Sequence, residues 1–212
     1  AVGARPGTLV IEADSPPPKI HVMHFSPDTF REEDIEDPAA LKDALDDNTM
    51  SWVDVQGFGN EQVIRQVGEI FSMHPLAIED VVNVPHRPKT EPYDDYILII
   101  VRMVRLRDRA DIDMEQVSIV LGKNYVLTFQ ERYGDVLEPV RRRIRSGVGM
   151  IRKEGTDYVA YAIFDTIVDA YYPVLERIGD YLETIEGRVI ENPTPGLLRT
   201  LNQLRNKLVN LR

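Results

Sequence analysis

Carboxylates are the residues of this sequence with the most chemistry to offer. Between Asp157 and Glu191 stand eight acids, Asp157, Asp165, Asp169, Glu176, Asp180, Glu183, Glu186 and Glu191, against two bases, Arg177 and Arg188. Asp165 and Asp169 are four apart, which on a helix puts them on one face, where like charges cost a few tenths of a kcal/mol unless a cation sits near. A second acidic pair, Glu79-Asp80, closes the run His74-Pro75-Leu76-Ala77-Ile78-Glu79-Asp80. Adjacent helix positions diverge, so these two cannot clamp one ion face to face; a further ligand must come from Asp165 or from another copy of the chain. The residues alone leave two readings open: a solvated acidic face, which charge runs commonly are, and a surface that gathers cations.

The other side chains narrow the choice. There is no cysteine, which removes disulfides, thiolate metal sites and a cysteine nucleophile, and fits a reducing compartment. His21 and His24 are three apart in an expected strand, on opposite faces, and read as structural. His74 precedes a helix and His86 lies in a proline-bounded loop. Oxygen ligands without paired imidazoles suit magnesium or calcium better than zinc or copper. Arg141, Arg142, Arg143 and Arg145 spread around a helix with no interleaved aromatics to stack bases, and are expected to balance the acidic helix. Gly57-Phe58-Gly59 lacks the spacing and the lysine of a nucleotide-binding loop and reads as a turn. No serine, histidine and acid arrangement stands out, and the chain does not read as an enzyme.

The elements that must position these groups follow from periodicity and punctuation. Residues 8–12 and 19–25 read as short strands separated by Ser15-Pro16-Pro17-Pro18, an acidic helical stretch follows at 38–45, and 51–56 is the next strand. Residues 60–71 keep helical spacing through Val63, Ile64, Val67 and Ile70. A second helix starts at Pro75, favoured at the first helical position, carries Leu76, Ile78, Val81 and Val82, and stops at Val84-Pro85. Strands are expected at 96–106, 115–121 and 125–130, with a tight hairpin at Gly122-Lys123-Asn124. A mixed sheet with helices against it accommodates this order better than a purely doubly wound sheet.

From residue 156 the pattern changes. Phe164, Val168, Tyr171, Leu175, Ile178, Leu182, Ile185 and Val189 form one apolar seam, kept in phase across Pro173, which predicts a long helix that kinks there without breaking. Asn192-Pro193-Thr194-Pro195-Gly196 reads as a turn, and Leu197, Leu201, Leu204, Leu208 and Leu211 begin a second seam. No stop signal surrounds Arg212, so the helix is expected to continue beyond it. The resulting division is an α/β domain at 1–153 and a long acidic helix with the start of another at 154–212.

With 212 residues and 43% apolar content the chain can bury a sizeable core. A formal charge of −10 repels nucleic acid and anionic lipid and concentrates cations. The longest apolar run, Ile97-Leu98-Ile99-Ile100-Val101, is far short of the ~20 residues that span a bilayer, and the chain as it stands reads as soluble.

Several motifs in order resemble the CorA family of magnesium channels: residues 71–83 (FSMHPLAIEDVVN), His86-Arg87-Pro88-Lys89, Glu91-Pro92-Tyr93-Asp94-Asp95-Tyr96, Glu115-Gln116-Val117-Ser118 and residues 134–140, joined by 157–169 and 204–212. The resemblance implies an α/β fold with a mixed sheet sandwiched between helical layers, then a long acidic helical hairpin and the start of a stalk helix. It implies a homopentamer at the cytoplasmic face of the cell membrane, with membrane-spanning segments and a Gly-Met-Asn pore loop that lie beyond this chain. It implies regulatory Mg2+ sites between neighbouring copies, with Asp80 in the main one and Glu79 and Asp165 in a second. The partner aspartate of Asp80 is expected farther along the stalk, past Arg212. The soluble domain of a related zinc or cobalt/nickel transporter is the alternative with the same fold.

Overall fold

The computed structural model describes residues 7–44, 48–108, 111–191 and 194–210. A seven-stranded sheet runs in the order β2-β1-β3-β7-β6-β5-β4, formed by β1 (Lys19–Phe25), β2 (Phe30–Ile35), β3 (Met50–Gln56), β4 (Lys89–Pro92), β5 (Tyr96–Asp108), β6 (Asp111–Gly122) and β7 (Tyr125–Gln130). The pair β3 and β7 is parallel, while β1 pairs antiparallel with β2 and β3, β6 with β7, and β4 with β5. The sheet is therefore mixed, as its sequence pattern requires.

Parity along β3 and β7 sorts two layers. Val53, Val55, Leu127 and Phe129 join one core with Ile64 and Val67 of helix α2 (Glu61–Ile70) and Ala77, Ile78, Val81 and Val82 of helix α3 (Pro75–Val82). The alternate positions Trp52, Asp54, Thr128 and Gln130 are also buried, and Asp54 meets Arg141 of helix α4 (Glu138–Ser146). Helices thus cover both faces. A preceding single turn of 3-10 helix, Pro38–Ala40, and α1 (Leu41–Ala44) occupy the acidic stretch read as helical.

Three local expectations are corrected. Residues 8–12 form no strand: side chains hold them instead, with the Val10 N–H donating to Asn83 Oδ1 at 2.7 Å and Asn83 Nδ2 to the Thr8 carbonyl at 3.2 Å. The long helix breaks at Ala170 into α5 (Thr156–Asp169) and α6 (Tyr171–Glu191). Pro173 has no N–H for the Asp169 carbonyl and its ring crowds that carbonyl, so the ladder lapses one turn ahead of it. The apolar seam also begins on another face, since α5 buries Val159, Ala160, Ile163 and Ile167 and leaves Phe164 at 42% exposure.

Two compact units are present, one of residues 1–103 and 115–167, the other of 104–114 and 168–212. In the second, Val174, Ile178 and Ile185 of α6 pack with Val104 and with Leu204 of α7 (Pro195–Asn210), flanked by Leu197, Leu201 and Leu208. Asn192 and Pro193 of the expected turn, and Leu211 and Arg212, lie outside the described residues.

Candidate functional site

Helix α3 presents the acidic pair. His74 caps it, its Nδ1 accepting the Leu76 N–H at 3.2 Å, and Pro75 supplies the first helical position. Because Ala77, Ile78, Val81 and Val82 are buried against the sheet, Glu79 and Asp80 fall on the half-exposed side.

The two carboxylates face different neighbours. Asp80 Oδ2 accepts from Lys89 Nζ at 2.7 Å, and His86 Nε2 lies 3.5 Å from Oδ1. Lys89 also donates to Glu91 Oε1 at 3.0 Å, so one ammonium sits between two carboxylates. Burial opposes the charge on Lys89, but the hydrogen bonds to Asp80 and Glu91 outweigh it and raise its pKa above the ordinary lysine value. Glu79 instead accepts the Gly7 N–H on Oε2 at 2.6 Å and lies 3.4 Å from Asn83 Nδ2. The two carboxylates thus face separate neighbours, in line with the divergence of adjacent helix positions.

Gln116 fixes the Asp80 side of this arrangement. Its buried amide donates to the Asp80 and Val81 carbonyls at 3.0 and 3.3 Å and accepts the His86 N–H at 2.8 Å. A central strand thereby pins both the end of α3 and the loop carrying His86. Tyr96 supports the other end, its hydroxyl accepting the His74 N–H at 3.0 Å while its ring stacks on Tyr93 at 4.7 Å.

Asp165 stands apart on α5, half-exposed, with the Tyr161 hydroxyl 3.5 Å from its carboxylate. No hydrogen bond or ion pair among the described residues joins it to Glu79 or Asp80. No group of three or more His, Asp or Glu among the described residues is arranged to hold a metal ion. The donors around Asp80 are oxygens with one imidazole, a set that fits a hard, partly hydrated cation such as Mg2+, which needs only one or two carboxylates. Lys89 and Glu91 were missed as site residues by sequence reasoning, because the short edge strand β4 that puts both on one face carries no apolar alternation to mark it as a strand.

Among the described residues no ion pair joins the arginine cluster to the acidic helix. Arg141, only 11% exposed, binds Asp54 and Asp135, Arg145 binds Glu32 and Glu138, and Arg143 donates to the Tyr158 hydroxyl. The reason is register: α4 lies over the sheet face that carries Asp54, within reach of a buried carboxylate. His21 pairs with Asp34 and Glu32, whereas His24 is buried beside Ser51, so the two histidines serve separate surroundings.

The family described as CorA-like Mg2+ transporter protein matches residues 47–212, and the chain belongs to it. The cobalt/magnesium transport protein CorA of Thermotoga maritima is 39% identical over 212 residues, covering 99% of this chain and 60% of that protein. The putative metal ion transporter YfjQ of Bacillus subtilis is 30% identical over 161 residues, covering 76% of this chain and 49% of that protein. The chain therefore spans less than two thirds of the length of these relatives. In fold it is similar to the soluble domain of CorA from Methanocaldococcus jannaschii, with a TM-score of 0.64 at 16% identity over 89% of this chain and 72% of that one. The family is one of transporters, not of enzymes. No helix among the described residues is long and apolar enough to cross a membrane.

Proposed function

We propose that this chain is the cytoplasmic, ion-sensing part of a magnesium channel, in which Asp80, with Glu79 and Asp165, lends carboxylates to Mg2+ sites between neighbouring copies of a homopentamer. Residues 1–153 serve as the α/β domain, and 154–212 as the acidic arm and the start of a stalk toward the membrane. Supporting the reading is Asp80 itself, a carboxylate on a pinned helix with one oxygen on the Lys89 ammonium and the other 3.5 Å from the His86 imidazole.

Carboxylates of adjacent copies brought to about 4 Å repel by roughly 4 kcal/mol at an effective dielectric constant near 20. Bound Mg2+ reverses that sign. Moving a two-state gate from nearly closed to nearly open takes about 5.5 kcal/mol, so loss of ions from several equivalent interfaces suffices even after screening. Cytosolic Mg2+ then holds the closed assembly and its depletion loosens it.

The experiment is ion flux through the full-length protein at graded cytosolic Mg2+. Asp80→Ala weakens inhibition by raised Mg2+; inhibition identical to that of the unsubstituted protein defeats the assignment. Magnesium is preferred over zinc because the donors on offer are oxygens and the chain has no thiol.

A further inference from the structure

We propose that Lys89 and Glu91 are working parts of the Asp80 site: Glu91 supplies a second carboxylate from the same chain, and the Lys89 ammonium is a tethered substitute cation that a divalent ion must displace. This inference rests on the ion-sensing reading above. Its basis is the placement of Lys89 Nζ, 2.7 Å from Asp80 Oδ2 and 3.0 Å from Glu91 Oε1.

The two carboxylates sit on elements that cannot easily move. Asp80 is on α3, whose last turn is held by Gln116. Glu91 is on β4, paired through Lys89↔Ile100 and Glu91↔Leu98 to β5, and Lys89 and Glu91 share one face of that strand. Tyr93 Oη lies 3.5 Å from Glu91 Oε2 and further steadies it. The lysine stem is the flexible member, four carbons long and bearing a single compact charge. Its side chain keeps 28% exposure, Asp80 22% and Glu91 42%, so the ammonium can swing into water without leaving a buried charge behind.

Charge counting gives the same answer. With Lys89 in place, the trio of Asp80, Glu91 and Lys89 sums to −1; with the lysine turned away, two carboxylates remain to match one divalent ion. His86 Nε2, 3.5 Å from Asp80 Oδ1, is the other group facing the carboxylate. Partly exposed pairs of this kind are weak, so the ammonium can be exchanged. It raises the Mg2+ concentration at which the site fills without preventing filling.

The test is the thermal-unfolding midpoint of the full-length protein in detergent, titrated with MgCl2, which reads binding without transport. Lys89→Gln is expected to lower the Mg2+ concentration for half-maximal stabilisation about tenfold at low ionic strength, and less in high salt. Lys89→Arg, which keeps the charge, is expected to stay within about twofold of the unsubstituted protein, and Glu91→Gln to raise the concentration needed. If Asp80→Asn abolishes the Mg2+ response while Lys89→Gln leaves its midpoint unchanged, the lysine is no competitor and the sensing reading stands. If no variant shows an Asp80-dependent response to Mg2+, the sensing reading fails and this inference fails with it.

Discussion

Arg141 of α4 reaches Asp54 of β3 at 2.6 Å across 87 residues of chain, and the same guanidinium closes on Asp135 at 2.5 Å. Both carboxylates are 3% exposed. Asp54 also accepts from Thr128, Gln130 and Gln56, and Asp135 from Gln130, Gln56 and the Leu137 N–H. Trp52 lies under the guanidinium at 5.2 Å. One cation therefore fastens the helical layer on one side of the sheet to the parallel pair β3 and β7.

Removing that cation leaves two buried carboxylates facing each other. Arg141→Leu is expected to lower stability by about 3–5 kcal/mol, the usual consequence of breaking a buried ion pair from one side. Urea unfolding of the chain measures it, as a fall in midpoint at unchanged slope. A loss below about 1 kcal/mol would mean that the surrounding amides and hydroxyls satisfy the carboxylates unaided.

Acid acts on the same triad. Burial pushes the Asp135 carboxyl up, but Arg141 more than offsets this, and the Gln130 and Leu137 hydrogen bonds add to it, so its pKa lies below the ordinary value of 3.8. A depressed carboxylate contributes stability that is complete above the unfolded-state pKa and disappears as pH falls through the folded-state value. The chain should hold its full contribution from Asp135 at pH 7 and lose it progressively below about pH 4. Asp135→Asn, though less stable at pH 7, should show a flatter decline in urea midpoint between pH 5 and pH 2. Parallel declines for the two proteins would assign acid sensitivity elsewhere.

How far these features are legible in sequence depends on what each residue touches. Helix α3 and strand β7 are readable because their own punctuation and apolar content define them: Pro75 opens the first, and Tyr125–Gln130 is buried almost throughout. Edge strands β2 (FREEDI) and β4 (KTEP) are not, since their side chains face solvent and carry charge in place of an alternating apolar pattern. Helix α5 has two apolar stripes, Val159-Ile163-Ile167 and Phe164-Val168, and spacing alone cannot say which one the fold covers. Glu79 and Asp80 can be placed on the open side of α3 from the positions of Ile78, Val81 and Val82. Their partners cannot, because Lys89, Gly7 and Gln116 reach them from other elements, and nothing local encodes that meeting.

Glu79 offers a test of how the N-terminal segment and the proposed ion site share one side chain. Its Oε2 accepts the Gly7 N–H at 2.6 Å, while Arg65 Nη2 donates to the Gly7 carbonyl at 2.9 Å and Asn83 holds Thr8 and Val10. This is a charge-assisted bond, worth about 1.5–3 kcal/mol against its absence. Glu79→Ala should therefore speed amide hydrogen exchange at residues 7–10 by at least about tenfold. The oxygen that holds Gly7 cannot also bind an ion through the same lone pair. If Glu79 lends that oxygen to Mg2+ in the assembled protein, saturating Mg2+ should speed the same exchange in the unsubstituted protein and change nothing in Glu79→Ala. Exchange at Gly7 that ignores Mg2+ in the assembled protein would make Glu79 a latch for the N-terminal segment alone and leave Asp80 as the carboxylate of α3 that meets the ion.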